Sequence, residues 1–391
     1  MTNDTQCVIL ILLINCESKL TEVEKMKKKF LSVLLAGAML FSVAVGCAKK
    51  KDETKAESQQ SAQTGEKAKI GVSMPTKSLQ RWNQDGDNMK KELEAAGFDV
   101  ELAYADDKVD QQVNQIETMI NGGCKVLVIA AINGDSLGTV LATAKEKNIP
   151  VIAYDRLIMN SDAVSYYATF DNYMVGTIQG NYIKDQLKLD TEAGPFNIEL
   201  FTGDPADNNA NFFFSGAMDV LNPYIEQGKL VVKSGQKEFK DVATSGWKSE
   251  NAQSRMEAIL SANYSDGTQL DAVMCSNDST ALGVEVALEA NYTGKYPIIT
   301  GQDCDITNTK NMIAGKQSMS VFKDTRDLAK QVVVMVKAIM EGKEVPVNNT
   351  KDYDNGIRVI PSYLCEPVFA DANNYKTILI DSGYYTEDQL K

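Results

Sequence analysis

The stretch KIGVSMPTKSLQRWNQDGDNMKKELEAAGFDVELAY (residues 69–104) decides the fold class of this chain. It opens with an apolar run typical of a strand and continues into an amphipathic helix that is closed by Gly97. A second apolar run follows from Val100 to Tyr104. This order of strand, helix and strand predicts a parallel sheet covered by helices.

The same alternation continues for most of the chain. Another helix is predicted from Val109 to Asn121, closed by Gly122. Further strands are predicted at Val126–Ala131, Val151–Tyr154, Phe196–Phe201, Leu230–Val232, Ala272–Cys275, Ile298–Thr300 and Met319–Phe322. Because these are more strands than one ordinary domain holds, the predicted fold is α/β with two doubly wound parallel-sheet lobes.

Polar and aromatic side chains stand where the apolar runs stop. They are Arg81-Trp82, Asp155-Arg156, Asp207-Asn208-Asn209, Trp247, Asn277-Asp278, Gln302-Asp303 and Lys323. Open parallel sheets bind ligands beyond the carboxyl ends of their strands. Carboxylates and guanidinium groups match pairs of adjacent hydroxyls, and an indole offers a flat apolar face. The set therefore indicates a site for a small polyhydroxylated ligand such as a sugar.

Several of these residues also have an interpretation that involves no ligand. Asp155-Arg156 is compatible with a helix cap and a surface ion pair, and Lys323 with solvated surface. Trp82 and Trp247 are compatible with the cores of the lobes. The occurrence of all of them at equivalent positions favours the ligand site.

Two neighbouring motifs are predicted to be structural. Asn277-Asp278-Ser279 precedes a helix, and Asp278 is predicted to be its N-cap. Phe212-Phe213-Phe214 is predicted to form the buried face and entry of a helix rather than a second aromatic platform.

The composition excludes several classes of function. The 391 residues include no histidine, so any mechanism that needs imidazole as base or zinc ligand is excluded. Four cysteines follow residue 47, without metal-like spacing, and are predicted to be small buried side chains: Cys124, Cys275, Cys304 and Cys365. A bridge between Cys275 and Cys304 is compatible with the sequence but unsupported by spacing. No cofactor and no metal site are predicted.

The N-terminal segment carries targeting information. Met26-Lys27-Lys28-Lys29, the apolar run from Phe30 to Val45 and the small residues before Cys47 resemble a bacterial lipoprotein signal. We expect 1–25 to be a misassigned upstream segment, 26–46 the signal peptide, and 47–67 the lipidated Cys47 with a flexible tether. Without residues 1–46 the chain keeps 35 basic and 49 acidic residues, because that segment holds five lysines and four acids. This excess argues against a nucleic-acid partner.

From Lys69 to Lys391 the chain resembles the type I periplasmic sugar-binding proteins of bacterial ABC transporters, in particular the xylose-binding and multiple-monosaccharide-binding members. The shared motifs are GVSMPTKS with Arg81-Trp82, QIETMI (115–120), VLVIAAING (126–134), VIAYDRLI (151–158), YYATFDN (166–172), DNNA (207–210), SND (276–278), GQD (301–303), VFKDTR (321–326) and SGYY (382–385).

This resemblance implies hydrogen bonds to the sugar from Arg81, Asp155, Arg156, Asp207, Asn209, Asn277, Asp303 and Lys323. It implies stacking by Trp247, with Trp82 and Asn208 as adjacent candidates. It also implies two lobes joined by three crossovers, which we place near 172–173, 322–324 and 355–358. Lobe one is then expected to hold 68–172 with 324–356, and lobe two 173–323 with 357–391.

The resemblance implies an extracytoplasmic receptor that delivers a monosaccharide (xylose, glucose, galactose or arabinose) to an ABC transporter permease. The protein is expected to be a monomer that contacts the membrane only through its lipid anchor. A sensor that presents sugar to a chemoreceptor or a membrane histidine kinase is the alternative. A glycosidase with paired carboxylates and a sugar-responsive repressor are disfavoured, the latter by the secretory leader and the absence of an N-terminal helix-turn-helix.

Overall fold

Strands and helices alternate along residues 67–391, the part of the chain that this computed structural model describes. The strands are β1 Lys69–Met74, β2 Asp99–Tyr104, β3 Val126–Ile129, β4 Val151–Tyr154, β5 Val164–Phe170, β6 Phe196–Phe201, β7 Leu230–Val232, β8 Ala272–Cys275, β9 Ile298–Ile299, β10 Met319–Phe322, β11 Ser362–Cys365 and β12 Val368–Asp371. The helices are α1 Gln80–Ala95, α2 Val109–Asn121, α3 Gly138–Glu146, α4 Asn172–Gln186, α5 Asn209–Glu226, α6 Phe239–Val242, α7 Ser249–Asn263, α8 Asp278–Asn291, α9 Ile306–Ile313 and α10 Thr325–Met340. Short 3₁₀ turns cover Ser245–Trp247 and Glu387–Leu390, and a π-helical turn covers Lys376–Asp381.

The strands form two halves with the same strand order. The first is a parallel sheet in the order β2-β1-β3-β4-β5-β11. The second is a parallel sheet in the order β7-β6-β8-β9, next to an antiparallel pair of β10 and β12. A parallel bridge between Gln302 and Val321 connects this pair to the end of β9. The predicted fold class, two doubly wound α/β lobes, is confirmed.

Helices cover both faces of each sheet because the strands are buried on both sides. In the first half, α1 and α10 pack on one face through residues such as Met89 and Val332, and α2 and α3 pack on the other through Ile116 and Leu141. In the second half, α7 and α8 cover one face and α4 and α5 the other.

The third crossover lies further along the chain than the expected position at 355–358. β11 pairs in parallel with β5 of the first sheet, with Ser362 opposite Tyr167, whereas β12 pairs with β10 of the second half. The chain therefore passes between the halves near Asp171, near Lys323 and between Cys365 and Val368. We define lobe one as 67–171 with 324–365 and lobe two as 172–323 with 366–391, so the assignment of 357–365 to lobe two was wrong.

Other sequence predictions concern the cysteines and the N-terminal segment. Cys124, Cys275, Cys304 and Cys365 are all free, so the Cys275–Cys304 bridge is not formed, and Cys365 is only half-buried. The expected signal peptide, Cys47 and nearly all of the tether lie outside the described residues. Within 67–391, none of the helices has the length and apolar character needed to cross a bilayer.

Close packing of α4 against α5 depends on glycine. A β-carbon on Gly176 would lie 2.0 Å from the carbonyl oxygen of Phe213, and one on Gly216 would lie 2.1 Å from that of Tyr173. Gly176→Ala is therefore expected to lower the free energy of unfolding by about 1–3 kcal/mol through overpacking, measured by urea denaturation. Gly138→Ala in α3 is the control, because a β-carbon there meets no atom within 4 Å. Equal stability of the two variants would contradict this account.

Candidate functional site

A cavity lies between the lobes. It is lined by Leu79, Arg81, Trp82, Asp155, Arg156, Asp207, Asn209, Phe213, Trp247, Asn277, Ser279, Gln302, Asp303, Asp305 and Lys323. Ten of the eleven residues that the sequence proposed for the site are in this set, and Asn208 is absent from it. Asn208 is half-buried and directly precedes α5 without capping it.

The strand ends bring these residues together. Asp155 directly follows β4 in lobe one, whereas Asn277 and Asp303 follow β8 and β9 in lobe two. Lys323 follows β10 at a crossover between the lobes. Because parallel strands end at the same edge of a sheet, the side chains after them face one cleft.

Arg81 of α1 is the centre of a charge network that joins the two lobes. Its Nη2 donates to Oδ2 of Asp155 at 2.6 Å, and its Nη1 donates to Oδ1 of Asp303 at 2.9 Å. Its Nε donates to Oδ2 of Asp85 at 2.7 Å. The Nζ of Lys323 lies 3.2 Å from Oδ1 of Asp303 and 3.8 Å from Oδ2 of Asp155. All of these side chains are nearly fully buried, so the charges compensate one another in a medium of low polarity.

The carboxyl groups of Asp85 and Asp155, both on lobe one, have pKa values that are shifted in opposite directions. Burial raises the pKa of Asp85 to about 6, although Arg81 acts in the opposite direction and Tyr154 donates a hydrogen bond to it. Burial also disfavours the charge on Asp155, but Arg81 and Lys323 outweigh it and lower the pKa of Asp155 to about 2. Asp155 is therefore ionised at neutral pH.

A second ion pair crosses the cleft between Arg156 of lobe one and Asp207 of lobe two. The Nε of Arg156 lies 2.9 Å from Oδ2 of Asp207. Burial raises the pKa of Asp207, and Arg156 opposes that shift. The guanidinium also lies 4.9 Å from the ring centre of Trp82 and donates to the carbonyl of Ala131 at 3.2 Å. The Arg81–Asp303 and Arg156–Asp207 ion pairs thus both connect lobe one to lobe two.

Aromatic side chains contribute to the cavity from both lobes. Trp82 lines it and also belongs to the core of lobe one. On lobe two, Trp247 and Phe213 meet edge to face with ring centres 6.1 Å apart. The interpretation of Phe213 as core alone was therefore incomplete. Gly203 makes room for Trp247, since a β-carbon there would lie 1.9 Å from the indole.

Three residues of the cavity have backbone angles that are unusual outside glycine. Asp155 has φ 57°, Trp247 has φ 56° and Asp303 has φ 100°. Such conformations carry strain and cluster at functional sites. Three hydrogen bonds offset the backbone strain at Asp155. The hydroxyls of Tyr167 and Thr169 and the amide of Asn209 all donate to its carbonyl oxygen.

Two residues differ from the expected roles. The amide of Asn209 is engaged by the carbonyl of Asp155 at 2.6 Å and by the hydroxyl of Tyr167 at 2.9 Å, so it orients Asp155. The prediction that Asp278 is an N-cap was wrong, because the capping oxygen of α8 belongs to Asn277. The Asp278 carboxylate instead lies behind the cavity and accepts hydrogen bonds from Gln317 and Ser320, both at 2.8 Å.

Several polar atoms of the lining are buried without a hydrogen-bond partner. They are Nε1 of Trp247, Oε1 of Gln302, Oδ1 of Asp305 and Nε of Arg156, which lies close to Asp207 but makes no hydrogen bond to it. A buried polar group without a partner costs about 1–3 kcal/mol. These atoms combine two donors and two acceptors, which is the complement of a ligand rich in hydroxyls.

Three carboxyl groups of the cavity face cations. Asp155 and Asp303 face Arg81 and Lys323, and Asp207 faces Arg156. Within the lining the pKa of Asp155 is lowered to about 2, whereas burial raises the pKa values of Asp207 and Asp305. Among residues 67–391 there is also no cluster of three or more acidic or cysteine side chains arranged to hold a metal ion.

Comparisons with known proteins agree with this geometry. The periplasmic binding protein domain model matches residues 70–344. The multiple sugar-binding periplasmic receptor ChvE of Rhizobium radiobacter is 52% identical over 330 residues, covering 83% of this chain and 93% of that protein. The D-xylose-binding periplasmic protein of Escherichia coli is 37% identical over 322 residues, covering 82% and 92%.

Solved structures are also similar. An ABC transporter solute-binding protein from Clostridium phytofermentans with bound β-D-glucose is 70% identical, with a TM-score of 0.82, and the match covers 83% of this chain and all of that one. A carbohydrate transporter solute-binding protein from Chloroflexus aurantiacus in complex with D-glucose is 31% identical, with a TM-score of 0.75, covering 82% and 97%. The family match includes every residue that lines the cavity.

Proposed function

The chain belongs to the periplasmic sugar-binding proteins of bacterial ABC transporters, and from this membership we propose that it captures a free monosaccharide between its lobes and delivers it to an ABC transporter permease. The observation that carries the proposal is the cavity lined from both lobes by paired charges, indoles and unpartnered polar atoms. Glucose and xylose, which the relatives are described as binding, are the first candidates, with galactose and arabinose next.

The proposed mechanism is closure of the lobes around the sugar. A ligand shifts a conformational equilibrium only by its difference in affinity for the two states. A sugar that touches Asp155 of lobe one and Trp247 of lobe two makes its full set of contacts only in the closed form. The ion pairs Arg81–Asp303 and Arg156–Asp207 then form across the cleft and add to the stability of that form.

The chain is extracytoplasmic, as its family is, and we propose that it is held at the membrane by a lipid on Cys47. The support is the lipoprotein-like signal before Cys47 and the polar tether after it. Replacement of Cys47 by serine is expected to release the protein from the membrane fraction. Its retention there would refute the anchor without affecting the proposal on sugar binding.

A panel of monosaccharides tests the proposed function. The purified full chain is titrated with D-glucose, D-xylose, D-galactose and L-arabinose by calorimetry, and each is also tested by thermal shift. Ligand at about a hundred times its dissociation constant stabilises by about 2.7 kcal/mol, so the melting temperature is expected to rise by a few degrees or more. Absence of binding and of stabilisation across the panel would refute the proposal.

The SGYY segment adds a contact between lobes. The hydroxyl of Tyr385 accepts hydrogen bonds from Gln80 and Gln84 of α1, both at 2.9 Å, and donates to the carbonyl of Cys304 at 2.9 Å. Tyr385→Phe is expected to weaken sugar binding by about fivefold or more, because the closed form then has unsatisfied polar groups. Calorimetry measures the change. Tyr224→Phe, which removes a hydroxyl contact to Asp190 within lobe two, is the control. Equal affinities in the two variants would exclude this role.

A further inference from the structure

Asp305 is a cavity residue to which neither the strand-end pattern nor the family motifs assign a role. It lies two positions after Asp303, directly before α9, and lines the cavity together with Gln302. Its Oδ1 atom is buried and has no hydrogen-bond partner.

The position of Asp305 is one at which an aspartate normally caps a helix. The N-cap residues Asp171 and Asp324 do so, because their carboxylates accept from the backbone of Met174 at 2.9 Å and of Arg326 at 3.0 Å. Asp305 is the N-cap of α9 but makes no side-chain cap bond. Its side chain is therefore not explained by stabilisation of its own helix.

The backbone around Asp305 is satisfied without its carboxyl group. Its own N–H donates to Oδ2 of Asp278 at 2.8 Å, and its carbonyl accepts from the backbone of Thr309 at 2.7 Å. The N–H of Ile306, the first of the helix, donates to Oε1 of Gln80 at 3.2 Å. The carboxyl group is thus held at the cavity by its backbone and left free to meet a ligand.

The surroundings of this carboxyl group are acidic. Burial and the neighbouring Asp303 raise the pKa of Asp305 to about 7, while Arg81 acts in the opposite direction. Asp278, directly behind it, also has a raised pKa, caused by burial and by Asp305. A carboxyl oxygen that is buried without a hydrogen-bond partner, next to acidic groups, destabilises the ligand-free protein. Such a group is typical of a binding site rather than of a core.

We propose that Asp305 is a further sugar-binding residue, whose carboxyl group forms a hydrogen bond with one hydroxyl of the monosaccharide and so contributes to the choice of sugar. The inference rests on the proposed function and deepens it. A sugar without that hydroxyl leaves the buried oxygen unpaired, which corresponds to a loss of about five- to a hundredfold in affinity.

The test is a double comparison of variants and deoxy sugars. The full chain and Asp305→Ala are titrated by calorimetry with D-glucose and its monodeoxy analogues, and with D-xylose, which lacks the hydroxymethyl group. The natural protein is expected to lose about five- to a hundredfold in affinity when one particular hydroxyl is missing. Asp305→Ala is expected to bind glucose more weakly and to be insensitive to the loss of that same hydroxyl, since the partner group is gone.

A conservative variant and the stability of the ligand-free protein separate binding from structure. Asp305→Asn keeps an acceptor oxygen and is expected to retain most of the selectivity. Because the variant loses the buried, unpartnered Oδ1 atom, ligand-free Asp305→Ala is expected to melt at the same temperature as the natural protein or higher. A lower melting temperature with an equal loss of affinity for all sugars would show a structural role and overturn the inference.

The two proposals fail in different ways. If the natural protein binds neither glucose, its analogues nor xylose, and the wider monosaccharide panel also fails, the proposed function is wrong and the role of Asp305 falls with it. If the natural protein binds sugar and Asp305→Ala keeps the same affinity and the same order of preference, only the inference on Asp305 is wrong.

Discussion

Asp303→Ala is expected to weaken monosaccharide binding by about a hundredfold or more while the lobes remain folded. Asp303 accepts from Arg81 at 2.9 Å and lies 3.2 Å from Nζ of Lys323. Removal of Asp303 leaves Nη1 of Arg81 without its acceptor and Lys323 with only the longer contact to Asp155, although Arg81 keeps Asp85 and Asp155. A buried charged group that loses a hydrogen-bond partner costs about 3 kcal/mol. Here the penalty falls on the closed form alone, since an open cleft exposes Arg81 to water. The variant therefore loses affinity rather than stability.

Asp106→Ala is the control for the backbone strain that alanine introduces at position 303. Asp303 has φ 100°, so alanine there adds strain as well as removing a carboxylate. Asp106 has φ 50° and is exposed, and Asp106→Ala thus introduces a comparable strain away from the cavity. Asp303→Asn, which tolerates such angles, separates the two effects further and is expected to lose less affinity than alanine. Calorimetry that gives Asp303→Ala and Asp106→Ala the same sugar affinity would remove Asp303 from the site.

The strand-end residues could be predicted from sequence because the parallel sheet itself decides where they meet. Asp155, Asn277 and Asp303 each come within a few residues of the end of an apolar run, and parallel strands end at a common edge. The charge pattern was also visible, since Arg81 and Lys323 are placed near such ends. The sequence pattern could not predict which of the charged residues form ion pairs. That Arg81 contacts Asp303 and that Arg156 contacts Asp207 depends on the closure of one lobe against the other.

Phe213 and Asp305 line the cavity, but their sequence context does not indicate a ligand site. Phe213 lies on the apolar face of a helix, and nothing local distinguishes an apolar residue that lines a cavity from one that packs in a core. Asp305 stands where an aspartate caps a helix, so its sequence context predicts a structural role that the side chain does not perform. The third crossover was misplaced because β11 is only four residues long, and its pairing with β5 is a long-range contact.

The charge and the backbone conformation of Asp155 depend on its neighbours. Asp155 keeps a low pKa only because Arg81 and Lys323 outweigh the effect of its burial. The hydrogen bonds from Tyr167 and Asn209 hold its backbone at φ 57°. Substitutions in this group are therefore expected to be non-additive, and double variants of Arg81 and Asp303 are expected to lose less affinity than the sum of the single losses.

Trp247→Ala is expected to weaken sugar binding by about thirtyfold or more. The indole lines the cavity from lobe two, packs against Phe213 and has an Nε1 donor without a partner. Its removal takes away both a flat apolar face for the sugar and a hydrogen-bond donor, and it opens a space that water fills. Truncation of a buried aromatic anchor at a binding site typically costs 2 kcal/mol or more, which corresponds to about thirtyfold. Calorimetry with glucose or xylose measures the loss.

Two further variants separate stacking from packing. Gly203→Ala keeps the indole but must displace it, because the added β-carbon would lie 1.9 Å from the ring. It is therefore expected to lose affinity in the same direction as Trp247→Ala. Phe214→Ala removes a neighbouring aromatic that packs on Phe239 and does not line the cavity, so it is expected to lower stability and leave the dissociation constant unchanged. A Trp247→Ala variant that binds sugar as tightly as Phe214→Ala would show that the indole does not contact the ligand.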